Sequence, residues 1–417
     1  MRYWDAVFAF LVATAVAALL TPLAGRLARR VGAIAYPSER GLARKPTPEL
    51  GGLAILAAVL LAAALWMPAK IQLGLAQNFA PGTAPVVHTW PLLGGAVLIA
   101  LVGAIDDALD LNPLLKLIGQ IGAATIAVTA GGAVIQSLTL PVLHSLQFPD
   151  GGKELAIVWL VVLMNIVNLS DGVDGLAAGV CTIDGVAFAV IAFNVQGGSS
   201  AAAVLAAITA GASLGFLFHN FYPAKIFMGD TGSNLLGYLL GVVAVIGSVK
   251  TNAVFALAVP LLVLAVPFMD TGFVVAKRLK YRRVPWRADA NHFHHRMARI
   301  GFSQRKTVAY LYAWTLMLAG VALALRFVPY KDHDTIGRYH LGWCILMGAI
   351  LLFALVASVY LVYVLEIFKF KSLRTIQLRR VDPDTSEHDI VASVERDIET
   401  GEFEALDEPD DEPEAEA

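Results

Sequence analysis

The chain has 417 residues, 57% of them hydrophobic and 15% charged, with a mean hydropathy of +0.67. That excludes a soluble globular domain, implies no nucleic-acid partner and fits a polytopic membrane protein. The formal net charge of −2 hides an asymmetry: 16 of the 33 acids lie between Val381 and Ala417 beside one Arg, so residues 1–380 hold 17 acids against 30 bases.

Apolar runs long enough to cross a bilayer, about 17–25 residues, are predicted near 4–24, 51–67, 90–105, 114–134, 154–169, 176–196, 201–221, 233–249, 253–276, 308–328 and 341–368. The expectation is an all-α membrane protein of about eleven transmembrane helices. The first run lacks a basic segment before it and is expected to be retained as a span. Segments after the odd-numbered helices carry 22 Lys and Arg, against seven on the other side. The basic side is therefore expected to be cytoplasmic, with the N-terminus outside and the C-terminus inside. Residues 1–368 form the membrane domain. Residues 369–417 are expected to be a basic juxtamembrane segment and an acidic, disordered tail. Cys181 and Cys344 fall in separate apolar runs and read as small core residues, not as a disulfide or metal site.

In chain order, the polar motifs all fall on the expected cytoplasmic side. Asp106-Asp107-Ala-Leu-Asp110-Leu-Asn112-Pro113 follows the third run, with Lys116 and Gln120 beyond it. Adjacent carboxylates repel unless a cation or proton lies between them, and Mg²⁺ is the usual cation where oxygen ligands meet substrate phosphates. A solvated acidic loop, with Asp110 capping a helix, is the bland alternative.

Asn165-Ile-Val-Asn168-Leu-Ser-Asp171-Gly-Val-Asp174-Gly175 joins the fifth and sixth runs. On a continuing helix Asn165 and Asn168 share a face, and Asp171 extends the row. A polar turn needs one or two such residues, not six, and ionisable groups at a membrane boundary point to function.

Phe227-Met-Gly229-Asp230-Thr-Gly232-Ser233-Asn234 sets one carboxylate between glycines before an apolar helix. Ser233 is expected to cap that helix, whose N–H groups are free to receive a phosphate beside a metal on Asp230. The last motif, Asp289-Ala-Asn291-His292-Phe-His294-His295-Arg296, lies in a basic loop and suits a pyrophosphate better than zinc, since no Cys accompanies it. The outer loops, 69–89 and 136–153, hold no comparable cluster, and no internal repeat is present. This one-sided polar face suggests an enzyme joining a cytosolic substrate to a lipid. A cation-coupled transporter, which would distribute polar groups near mid-membrane, is the alternative of another class.

Asp106-Asp107, Asn168-Leu-Ser-Asp171-Gly-Val-Asp174-Gly, Gly229-Asp230-Thr-Gly-Ser233, His292-Phe-His294-His295-Arg296 and Pro46-Thr-Pro48-Glu-Leu-Gly51-Gly52 together resemble the polyprenyl-phosphate N-acetylhexosamine-1-phosphate transferases, of the glycosyltransferase family 4 type, over residues 1–325. The His-x-His-His-Arg pattern is similar to the branch using UDP-N-acetylglucosamine. The phospho-N-acetylmuramoyl-pentapeptide transferases, the alternative within the family, typically carry three consecutive histidines. Family members often have a histidine before the Pro-x-Pro segment. This chain has Arg40-Gly-Leu-Ala-Arg44-Lys45 there, so a phosphate contact passes by resemblance to Arg44 or Lys45.

The resemblance implies transfer of a sugar phosphate from a UDP-N-acetylhexosamine to polyprenyl phosphate (undecaprenyl or decaprenyl), with release of UMP, at the cytoplasmic face of a bacterial inner membrane. It implies Mg²⁺, or Mn²⁺, on Asp230 with Asp171, and leaves a homodimer open. Asp106 and Asp107 assist at the metal or accept a proton. Asn168, Asp171 and Asp174 belong to the nucleotide-sugar set, Phe227 stacks on uracil and Lys45 touches the nucleotide. Lys116 lies near the lipid phosphate, and His292, His294, His295 and Arg296 stabilise the pyrophosphate. Asp184 and Glu366, within apolar runs, receive no role and need a partner or a shallow position.

Overall fold

The computed structural model describes residues 3–36, 45–72, 86–135, 137–140, 144–147, 152–193, 200–248, 303–328, 340–354 and 356. In chain order these are α1 (Tyr3–Val31), β1 (Ile34–Ala35), β2 (Thr47–Pro48), α2 (Gly51–Trp66), β3 (Lys70–Gln72), β4 (Val86–His88), α3 (Thr89–Leu109) and α4 (Pro113–Thr125). Helix α4 runs on through a π-helical turn, Ile126–Ala130. There follow β5 (Ser137–Leu140), β6 (His144–Gln147), α5 (Lys153–Ser170), α6 (Leu176–Phe193), α7 (Ser200–Asn220), α8 (Gly229–Ser248), α9 (Gln304–Phe327) and α10 (Leu341–Ala354).

Among the described residues, eight helices are long and apolar enough to cross a membrane, while α2 and α10 are apolar but shorter. The predicted span at 253–276, the loop bearing His292–Arg296, Glu366 and the tail lie outside the described residues. Among the described residues Cys181 and Cys344 are not joined in a disulfide.

Two expectations need correction. Three antiparallel strand pairs interrupt the helices: β1 with β2 (Ile34↔Pro48), β3 with β4 (Ile71↔Val87) and β5 with β6 (Leu138↔Leu146). These connections carry Ile, Val, Thr and Leu, and pairing them satisfies backbone groups that hydropathy reads only as loop. Helix α8 begins at Gly229, not near 233. Gly229 adopts φ 66°, a left-handed conformation that favours glycine, and the helix follows directly, so Asp230 is in its first turn.

Packing follows membrane rules, with small residues inside and large apolar ones outside. The α1 side chains Trp4, Phe8, Leu11 and Leu19 are exposed, whereas Ala9, Ala13 and Ala17 of the same helix are buried. Gly211 and Gly215, four apart on α7, meet α1 backbone; a Cβ there would lie 2.3 Å from Phe10 O and 2.1 Å from Thr14 O. Helix α8 is enclosed by α2, α3, α5 and α7. Its Gly237 and Gly241 face Leu163 and Leu160 of α5, and Tyr238 Oη donates to Leu92 O of α3 at 2.8 Å. Asp184 of α6 is fully buried, and among the described residues neither carboxylate oxygen has a hydrogen-bond partner.

Candidate active site

The site forms where the first turn of α8 is pressed between α2 and α3. A Cβ on Gly52 would lie 2.2 Å from Gly232 N, and one on Gly103 would lie 2.5 Å from Thr231 Cα. Only hydrogen at those positions lets the three backbones touch. One turn beyond Gly103, Asp107 therefore reaches the α8 N-terminus. Its carboxylate accepts from Asp230 N at 2.7 Å, Thr231 N at 3.1 Å and Thr231 Oγ1 at 2.6 Å. The free N–H groups of a helix start need an acceptor, and here a neighbouring helix supplies it. This corrects two expectations. Ser233 does not cap α8; its Oγ lies inside the helix, 3.0 Å from Gly229 O and 3.1 Å from Asn168 Oδ1. The first N–H groups are occupied by a carboxylate, not left free for a phosphate.

Asp106, one residue earlier, reaches α4 and the α3–α4 connection instead of the α8 backbone. Its Oδ1 accepts from Leu111 N at 3.0 Å, and its Oδ2 lies 2.8 Å from Lys116 Nζ of α4. The same ammonium contacts Asp230 Oδ2, which also accepts from Asn168 Nδ2 at 3.2 Å. Asp110 ends α3 in a left-handed conformation and is exposed, so the helix end does not gather it with the pair. Asn112 caps α4 by accepting from Leu114 N.

Below this layer runs a chain of amides. Asn165 Nδ2 donates to Gln120 Oε1 at 2.7 Å, Gln120 Nε2 to Asn234 Oδ1 at 2.8 Å, and Asn234 Nδ2 to Asp230 O at 2.9 Å. Gln120 and Asn234 are buried, so the chain ties α4, α5 and α8 at fixed register. Asn165 and Asn168 do share a face of α5: the first serves this chain and the second serves Asp230.

One carboxylate oxygen from each of Asp106, Asp107 and Asp230 lies within 4.8 Å of the other two. Three hard oxygen donors, with the Lys116 ammonium already drawn between two of the acids, fit a divalent cation of the Mg²⁺ kind. Asp171 is not within that group.

The acids open on a cavity of about 910 Å³ that is also lined by Asp171, Asp174, Asn220, Phe227 and Glu49. Asp174 Oδ2 accepts from Ala224 N at 2.9 Å, so this carboxylate holds the loop before α8 as well as lining the cavity. Asn220 Oδ1 accepts from Gly175 N and its Nδ2 donates to Ile226 O, both at 3.0 Å. On α9, the Tyr312 hydroxyl donates to Gly175 O, its ring occupying the space left by Gly179. Asn220, Tyr312 and Glu49 were not singled out from the sequence. A lone Asn at a helix end reads as a cap, and nothing in the pattern around Tyr312 marks it. Lys45 is exposed and is not among the lining residues.

The electrostatics are lopsided. Burial, then Asp230 and Asp106, push the Glu49 carboxyl up from 4.5 to about 7. Asp171 keeps part of its surface open to the cavity yet lies deep in the protein; burial first, then Asp230 and Asp107, hold it well above the usual carboxylate range. Burial also raises Asp174, against the Ala224 N–H that lowers it. Among the described residues Lys116 is the cation in contact with the acids. A cavity this acidic repels anions unless further cations enter with them.

A model of glycosyl transferase family 4 matches residues 89–248. The chain is 33% identical over 322 residues to a probable undecaprenyl-phosphate N-acetylglucosaminyl 1-phosphate transferase of Bacillus subtilis (strain 168), covering 77% of this chain and 85% of that protein. It is 38% identical over 337 residues to a decaprenyl-phosphate N-acetylglucosaminephosphotransferase of Mycolicibacterium smegmatis, covering 73% and 78%. A phospho-N-acetylmuramoyl-pentapeptide-transferase of the same organism is 31% identical over 352 residues, covering 75% and 94%.

Proposed function

The chain belongs to glycosyl transferase family 4, and from that premise we propose that it transfers N-acetylglucosamine-1-phosphate from UDP-N-acetylglucosamine to a polyprenyl phosphate, releasing UMP. A phosphate oxygen of the lipid attacks the β-phosphorus of the nucleotide sugar. The new P–O bond forms as the bond from that phosphorus to the bridging oxygen breaks, and the electron pair leaves on UMP. No strong base is needed, because a phosphate monoester is already largely ionised at pH 7.

The observation that carries the reading is the convergence of Asp106, Asp107 and Asp230, all lining one large cavity, with Lys116 in contact with two of them. Two anionic phosphates must meet inside an acidic site, and phosphoryl transfer depends mainly on positioning and charge neutralisation. Asp230 and Asp106 would hold Mg²⁺, or Mn²⁺, with Asp107 bracing Asp230 through the α8 N-terminus. The bound ion supplies Lewis-acid neutralisation of the phosphoryl oxygens. Asn168 orients the Asp230 carboxylate. Lys116 meets the lipid phosphate, and Phe227 offers its ring to uracil. Asp171, which also lines the cavity, acts on the nucleotide sugar, while Asp174 fixes the loop that carries Phe227. His292, His294, His295 and Arg296 add the remaining positive charge at the pyrophosphate.

Eleven spans, with the site on the cytoplasmic face, agree with 22 Lys and Arg on that side against seven opposite. The pattern His292-Phe-His294-His295-Arg296, together with the higher identities to the two GlcNAc-phosphotransferases, favours UDP-N-acetylglucosamine as donor. Purified protein offered undecaprenyl phosphate and each donor in turn tests the choice. UMP should appear with UDP-N-acetylglucosamine and not with UDP-N-acetylmuramoyl-pentapeptide; efficient turnover of the latter would reverse the assignment.

A further inference from the structure

Glu49 is an acid of the cavity to which neither the proposed metal site nor the resemblance gives a task. Its position is determined by backbone on both sides. Glu49 N donates to Ala33 O at 3.1 Å, and β2, which ends one residue before it, pairs with β1. Phe227 N donates to Pro48 O at 2.8 Å, and Gly51 N and Gly52 N donate back to Phe227 O and Met228 O at 3.0 Å each. The segment is therefore stitched along the stretch that carries Phe227 and Asp230. Gly229 lies against it so closely that a Cβ there would sit 2.2 Å from Glu49 O.

This anchoring sets Glu49 in the cavity wall beside Phe227, Gly229 and Asp230. Its side chain is half-buried, and among the described residues no hydrogen bond or ion pair reaches its carboxylate. It is also outside the group of three acids whose oxygens come within 4.8 Å of one another. A fixed, half-buried carboxyl that no described residue satisfies is free to take a ligand's donors. What enters this cavity under the proposed reaction is a nucleotide sugar, whose hydroxyl groups are donors. A carboxylate accepts from two neighbouring hydroxyls at once, one to each oxygen.

Resting on the reaction proposed above, we infer that Glu49 is a specificity-determining residue that accepts hydrogen bonds from a vicinal hydroxyl pair of the UDP-sugar. Two parts of the donor carry such a pair, the ribose and the hexosamine ring. Both would lie close to the pyrophosphate, and so close to Asp230.

Binding measured without polyprenyl phosphate reads this independently of turnover. Full-length wild type and Glu49→Gln are titrated with UDP-N-acetylglucosamine, with its 2′-deoxyribose analogue and with its 4-deoxyhexosamine analogue. Apparent melting temperatures confirm that both proteins are folded. A hydrogen bond to a charged group is worth enough that Glu49→Gln should weaken binding of the parent by about tenfold or more. One deoxy analogue should bind wild type more weakly than the parent does, and should lose less than the parent on Glu49→Gln, because one of the two hydrogen bonds is already gone. The analogue that behaves so identifies the sugar Glu49 reads. Equal affinity of both proteins for the parent overturns the inference. So does the same loss in Glu49→Gln for all three ligands, which would indicate a general change of cavity charge. Failure of UMP release in the transfer assay would instead count against the reaction and leave these affinities readable.

Discussion

Asp230 and Lys116 are the residues at which the site's electrostatics are decided. The Lys116 ammonium occupies the place between Asp106 and Asp230 that a divalent ion needs. On the proposed reading the lysine and the metal would compete for the same carboxylates until a phosphate drew the lysine away. Lys116→Met should bind Mn²⁺ more tightly than wild type in the absence of substrate, by about tenfold, the scale of one unit charge removed at close range in a partly exposed site. Electron paramagnetic resonance titration of the free ion reads this directly. Unchanged or weaker affinity would mean that the ammonium is not in competition. Turnover by this variant should fall, because the lipid phosphate loses its cation. The converse change, Asp230→Asn, keeps shape and removes charge. It should lower turnover by at least about a hundredfold and weaken Mn²⁺ binding, with the melting temperature retained.

At the scale of elements, the first turn of α8 is the part on which the rest depends. Gly52 of α2 and Gly103 of α3 admit it, Asp107 closes its N-terminus, and the Gln120–Asn234 pair fixes its depth. Added bulk at such a contact costs about 1–3 kcal/mol, and here it would also push Asp230 from Asp106. Gly52→Ala should therefore lower the apparent melting temperature by several degrees and cut turnover at least about tenfold. Gly94→Ala, on the same α3 as Gly103, has nothing within 4 Å of its new methyl group. It should leave both quantities nearly unchanged. Equal behaviour of the two variants in thermal melting and UMP release would remove the clamp from the account.

Most of the membrane helices were legible in the chain because lipid demands long apolar runs, and seven of the first eight predicted runs fall on helices of spanning length. The exception, α2, has 16 residues yet begins at Gly51, where the predicted run begins. The acids of the site were legible as motifs, since charge at a membrane boundary has few other uses. Their pairing was not. That Asp107 caps a helix 123 residues later depends on two glycines in other helices, and no local pattern records such a contact. Glu49 stood in a recognised segment, but its cavity-facing position comes from strand pairing that hydropathy cannot detect.

At the scale of the whole molecule, the proposed orientation would put the acidic cavity on the basic side of the membrane. A reporter fused after Arg380 should be cytoplasmic and one inserted between 136 and 153 should be external. The opposite pattern would put the site where no UDP-sugar is supplied. The central claim concerns which bond breaks. Purified protein should be given undecaprenyl phosphate, Mg²⁺ and UDP-N-acetylglucosamine labelled in both the β-phosphate and the sugar. The account predicts that both labels enter the lipid in equal amounts, with one UMP released for each. Sugar label in the lipid without the β-phosphate, accompanied by UDP, would contradict it.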